Sequence, residues 1–128
     1  MEGLPNLIHK SISDYQKIKN MYLKQRFIVV EVDGAGIRDD ESLYVIFKKK
    51  LNAPDHFYGN RNAFNDLFYD FFDLDNPNKM AILIRNGSNV KDKELWRMFL
   101  DILDDAVGWW KTRHEAVLEA IVFSGSED

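Results

Sequence analysis

A chain of 128 residues with 45% hydrophobic and 30% charged side chains has the profile of one soluble globular domain, long enough to bury a core without covalent staples. The absence of cysteine excludes disulfides, thiolate metal sites and thiol nucleophiles, and no apolar run approaches the ~20 residues of a membrane helix. The net charge of −4 is concentrated in residues 51–78, where Arg61 stands against Asp55, Asp66, Asp70, Asp73 and Asp75; such a field repels phosphate, so nucleic acid is not an expected partner, whereas a basic protein is.

Met1 to Pro5 lacks a basic stretch followed by an apolar one, so no secretory signal is read and a cytoplasmic location is expected. Residues 1–26 read as an N-terminal extension, with Ser11 or Ser13 capping a short helix that carries Ile12, Tyr15, Ile18 and Tyr22 on one side. Phe27 to Asp33 is β-branched and aromatic, and Asp33-Gly34 breaks it, which predicts a strand and a turn. Asp39 or Asp40 then caps a helix with Leu43, Ile46, Phe47 and Leu51 at the helical period, closed by three lysines and Pro54. After the loop from Asp55 to Asn60, the spacing of Phe64, Leu67, Phe68 and Phe71 predicts a second helix from about Arg61 to Phe72. Met80 to Ile84 reads as a buried strand ended by the Asn86-Gly87 turn. A third helix from about Lys93 to Ala106 buries Leu95 or Trp96, Phe99, Ile102 and Leu103 and stops at Gly108; Val117 to Phe123 is the last strand, and residues 125–128 are a tail. Strands alternating with helices imply an α/β fold: a three-stranded parallel sheet packed with helices, mainly on one side, plus a helical N-terminal extension.

At 100° per residue, Asn62, Asp66, Asp70 and Asp73 share one arc of the second helix, with Tyr69 at its edge and the phenylalanines opposite. Like charges at these spacings repel by a few tenths of a kcal/mol per pair, and a basic partner would relieve them. Asp101, Asp104 and Asp105 on the third helix would extend the same negative surface. No segment has the ligand pattern of a calcium loop, and no metal is expected. His56 lies in the loop with Phe57, Tyr58 and Asn60, a recognition surface or loop packing; His114-Glu115 lacks the spacing of a zincin helix and reads as a loop pair. Gly34-Ala35-Gly36 lacks the third glycine of a dinucleotide loop, and neither a hydrolase elbow nor a P-loop is present. Trp109-Trp110 is a contact patch if exposed, core packing being the commoner fate of tryptophan.

Together these segments resemble the barstar family, the intracellular inhibitors of guanyl-specific microbial ribonucleases. The likeness runs from Val32-Asp33-Gly34 and Ile37-Arg38 through Leu51 and Pro54 to Ala63-Phe64-Asn65-Asp66-Leu67, then along the Met80–Arg85 strand, the acidic third helix and the closing strand. It covers residues 27–124 and implies a protein, not an enzyme, that plugs a basic ribonuclease active site without cofactor, as a monomer. Asp66 matches the family's aspartate that enters the enzyme's phosphate site, and Asn60 a loop asparagine. His56 falls where the family has an interface tyrosine, and Asp105 matches an interface glutamate. Asn62 and Asn65 depart from an aspartate and a tryptophan, Asp70 replaces a glycine, Tyr58 and Gly59 shift the loop glycine, and residues 107–116 read as a longer linker.

The expected partner is therefore a basic, extracellular-type microbial ribonuclease. The expected partner-binding residues are His56, Phe57, Tyr58, Asn60, Asn62, Asn65, Asp66, Tyr69, Asp70 and Asp105. The alternative is an immunity or adaptor module that keeps this fold and binds a protein other than a ribonuclease. An enzyme using His56 with Asp66 is a distant rival, since no nucleophile, metal or cofactor pattern accompanies them.

Overall fold

The strand-forming runs and the amphipathic helices assemble, in a computed structural model that describes residues 4–71, 79–113 and 116–125, around a fully parallel sheet. In chain order the elements are β1 (Ile8–Ser11), α1 (Tyr15–Lys24), β2 (Ile28–Asp33), α2 (Asp40–Lys50), α3 (Arg61–Asp66), β3 (Lys79–Arg85), α4 (Lys93–Lys111) and β4 (Val117–Ser124). Spatially the strands run β1-β4-β3-β2, with Val30 beside Ile82, Ile82 beside Ala120, and Ile8 beside Ile121. Central β3 is buried from Met80 to Ile84, which is why it reads as a continuous apolar run with no alternation.

The sheet has four strands, where three were expected. The added one, β1, lies within the segment read only as helical. Its sequence Ile-His-Lys-Ser has one apolar residue and pairs along one edge through main-chain groups, so little in its side chains announces it. The Ser11 side chain accepts from the Ser13 amide to start the 3-10 turn leading into α1. Helix α1 then covers one sheet face, where Tyr15 and Tyr22 pack with Phe27, Val29, Ala81, Leu83, Ile121 and Phe123. Polar bonds fix it there: Tyr15 donates to Glu31 at 2.6 Å, Tyr22 to Glu119, and Lys79 to the Gln25 carbonyl at 2.8 Å. Burial and the adjoining Glu119 carboxylate push the Tyr22 phenol well above its ordinary range.

The other three helices share the opposite face. Phe47 of α2, Phe64 and Phe68 of the α3 segment and Phe99 of α4 meet edge to face, with ring centroids 5.4–6.0 Å apart around Phe47. Helix α2 starts with a capping box between Asp39 and Ser42, and α4 with Asp92 accepting from the Leu95 amide at 3.0 Å.

Helix α4 does not stop at Gly108 but continues to Lys111, so the stretch expected to be a linker is in large part a further turn of helix. Two contacts outweigh the weak helix preference of glycine. Trp110 is buried and donates from its indole Nε1 to the Phe68 carbonyl at 2.8 Å. Gly108 lets the Asn6 side chain approach to where a Cβ would lie 2.7 Å from Nδ2. Asn6 is held on the same helix by Asp104, whose carboxylate accepts from the Asn6 amide at 2.7 Å. Asp104 is thus a buried clasp on the N-terminal segment and not part of an acidic surface, as its place in the sequence suggested.

Candidate functional site

Pro54 ends the extended segment after α2, and Asp55–Tyr58 forms a 3-10 turn anchored by the buried Phe57. The Asn60 side chain accepts from the Ala63 amide at 2.8 Å and caps α3. This six-residue α-helix passes into a π-helical turn over Leu67–Phe71. A π turn holds more residues than an α turn, so the arc laid out at 100° per residue does not continue unchanged past Asp66. Asn62, Asp66 and Asp70 are nonetheless exposed, while Asn65 and Tyr69 are half-buried and Phe64, Leu67 and Phe68 face the core. Asp73 and Asp75 lie outside the described residues, as do the His114-Glu115 pair and the expected helix end at Phe72.

The charges around this helix fall into two groups. Arg61 at its start makes a two-pronged bond to Asp40, at 2.7 and 3.1 Å, with Glu94 at 3.8 Å; Asp55 pairs with Lys48 at 3.5 Å and Asp101 with Arg97 at 3.1 Å. The Arg61 guanidinium holds the Asp40 carboxyl below its ordinary range, overcoming the opposing effect of burial. Asp66, Asp70 and Asp105, by contrast, have no ion-pair partner among the described residues, although all three are exposed. Asp105 of α4 lies close enough to Tyr69 that its charge adds to burial in raising that phenol. Tyr69 in turn meets Trp109 edge-on, with centroids 5.6 Å apart. The α3 segment and α4 therefore bring Tyr69, Asp105 and Trp109 together.

The expected site residues divide accordingly. His56 is exposed and leans on the Phe57 ring at 4.2 Å, available to a partner. Phe57 itself is core and cannot serve as a contact; its apolar ring is consumed in anchoring the turn. Tyr58 packs against Tyr44 with centroids 6.3 Å apart, and its buried hydroxyl has no hydrogen-bond partner among the described residues. Burial and, after it, the Asp55 charge raise that phenol. Asn60 spends its side-chain oxygen on the helix cap. Trp109 belongs with the region but was only half legible: adjacent aromatics point to different sides of a helix, and the sequence does not say which of the pair is outside. Among the described residues no group of three or more His, Asp or Glu is placed to hold a metal ion, and no helix is long and apolar enough to cross a membrane.

A parallel sheet that holds a short helix and its leading turn outward, with Asp40, Asp55 and Asp101 paired and Asp66 and Asp70 without a cation among the described residues, has the build of a protein-binding module. The family profile described as Barstar (barnase inhibitor) matches residues 27–123, and the chain belongs to that family. The likeness read from the residues is thereby confirmed, and the matched span begins immediately before β2. Members of this family are ribonuclease inhibitors, not enzymes. No curated protein matches the chain.

Proposed function

We propose that this protein blocks the active site of a basic microbial ribonuclease, with Asp66 entering the enzyme's phosphate-binding site and His56 and the exposed rim of the Asp55–Asn60 turn closing over it. The observation that carries the reading is the pairing of charge: Asp40, Asp55 and Asp101 are paired within the protein, while Asp66, Asp70 and Asp105 are exposed without a cation among the described residues. Such a field steers a basic partner and is released from self-repulsion when the partner's cations arrive. Asn62 and Asn65 offer amides where a charge and an aromatic ring stand in the family pattern, and Asp70 adds a carboxylate. The cognate enzyme is accordingly read as one whose site differs from barnase in charge placement, bound one to one inside the producing cell.

The test is titration of the protein into barnase and other guanyl-specific ribonucleases, at low and at physiological salt. Stoichiometric inhibition that weakens with salt is expected, with Asp66→Ala costing about 2 kcal/mol or more of binding. Unchanged affinity in that variant would remove Asp66 from the anchor position. No inhibition of any ribonuclease would favour the adaptor reading, in which the same surface binds another basic protein.

A further inference from the structure

Trp109 is 44% exposed, whereas Trp96 and Trp110 are 9% and 4% exposed. Its indole is steadied by the Tyr69 ring and lies one helical turn beyond the exposed Asp105. Tyr69 and Asp105 are both among the residues expected at the ribonuclease-binding surface, and the indole packs against the first and shares a helix with the second. The ring already holds a cation: the Arg113 guanidinium lies over it, 3.3 Å from the centroid. The other contacts of that guanidinium are long ones, 3.3 Å to the Trp109 carbonyl and 3.4 Å to the Thr112 hydroxyl. A planar guanidinium over an indole is an arrangement that favours arginine over other side chains.

We propose that Trp109, with Tyr69 and Asp105 beside it, is a second docking point that takes an arginine of the basic partner in the place Arg113 occupies in the free protein. The inference rests on the reading of a basic protein partner and extends it to a residue outside the acidic helix and its loop. Arg113 covers the indole in the free protein, and exchange of one guanidinium for another conserves the stacking. The site thereby selects among basic ribonucleases for one with an arginine at the matching distance from its phosphate pocket.

Because the other two tryptophans are buried, acrylamide quenching of the intrinsic fluorescence reports chiefly on Trp109. In Arg113→Ala, whose indole is no longer covered, a hexa-arginine peptide, its binding followed in parallel by calorimetry, is expected to lower that quenching about threefold at saturation. Arg113→Ala is expected to bind the peptide about fivefold more tightly, and hexalysine to protect the indole less than hexa-arginine does. Absence of peptide binding, quenching unchanged at saturation, or no gain in Arg113→Ala would each overturn the docking point. A barnase arm separates this inference from the reading beneath it. Loss of inhibition in Asp66→Ala with Trp109→Ala unchanged refutes the docking point alone. Failure of the wild-type protein to bind barnase and every other guanyl-specific ribonuclease tested refutes the ribonuclease reading, while the peptide arm still decides the docking point.

Discussion

Replacing Asp104 by alanine separates two opposed expectations by sign. Were Asp104 part of an exposed acidic cluster with Asp101 and Asp105, its removal would relieve repulsion and stabilise the protein by a few tenths of a kcal/mol. Asp104 is instead 6% exposed and accepts from the Asn6 amide at 2.7 Å. A hydrogen bond to a carboxylate contributes about 1.5–3 kcal/mol. The second bond, from Asn6 Nδ2 to the Asp104 main-chain oxygen at 3.2 Å, survives the substitution, and the third, at 3.5 Å to the carboxylate, is marginal. The net expectation is a loss of about 2 kcal/mol, which for a chain of this length lowers the melting temperature by about 7 °C. The loss should be local as well as global. Leu4 and Leu7 are buried on either side of Asn6, so amide exchange across Leu4–Ser11 should rise more than in β3. Asn6→Ala keeps the main-chain donor and should cost less than Asp104→Ala. Urea unfolding and hydrogen exchange measure both variants; an Asp104→Ala protein as stable as the wild type, or more so, would refute the clasp.

Gly34→Ala should destabilise by about 1–3 kcal/mol in the same urea assay, because the new Cβ would sit 2.2 Å from the Asn86 carbonyl oxygen, a main-chain atom that cannot swing away. Acid should weaken the fold partly through Asp40. Its folded-state pKa is lowered, so the stability it contributes is complete above about pH 4 and is lost as pH falls from there through the depressed value. Because the pair with Arg61 is partly exposed, the effect is at most about 1 kcal/mol; Asp40→Asn should flatten the acid limb of a melting-temperature profile by that amount, and an unchanged limb would count against the pair.

How much of this was legible in the chain differed from element to element. The runs Ile28–Asp33, Met80–Ile84 and Val117–Phe123 carry their strand character in β-branched, apolar side chains, and α2 announces itself through the Asp39 cap, the 3.6 period and its closing lysines. The short edge strand β1 did not, because an edge strand is held by main-chain bonds to one neighbour, which many side-chain patterns permit. The acids of residues 51–78 were visible as a cluster, and the helical spacing placed Asn62 and Asp66 on the outside. That Phe57 is an anchor, that Asn60 is committed to a cap, and that Trp109 and not Trp110 faces out depend on what lies across from each of them.

By itself the sequence determined the parallel α/β class, most of the strands and helices, the concentration of acid in residues 51–78 and membership of the barstar family. These follow from local preferences and periodicity, which each segment carries independently of its neighbours. Only the tertiary structure decided which acids are engaged within the protein. Asp40 meets Arg61 across 21 positions of chain, and Asp104 meets Asn6 across 98, while Asp66, Asp70 and Asp105 meet no cation among the described residues. Charge pairing depends on distances of a few ångströms between segments far apart in the chain, and those distances exist only once the sheet has brought the segments together.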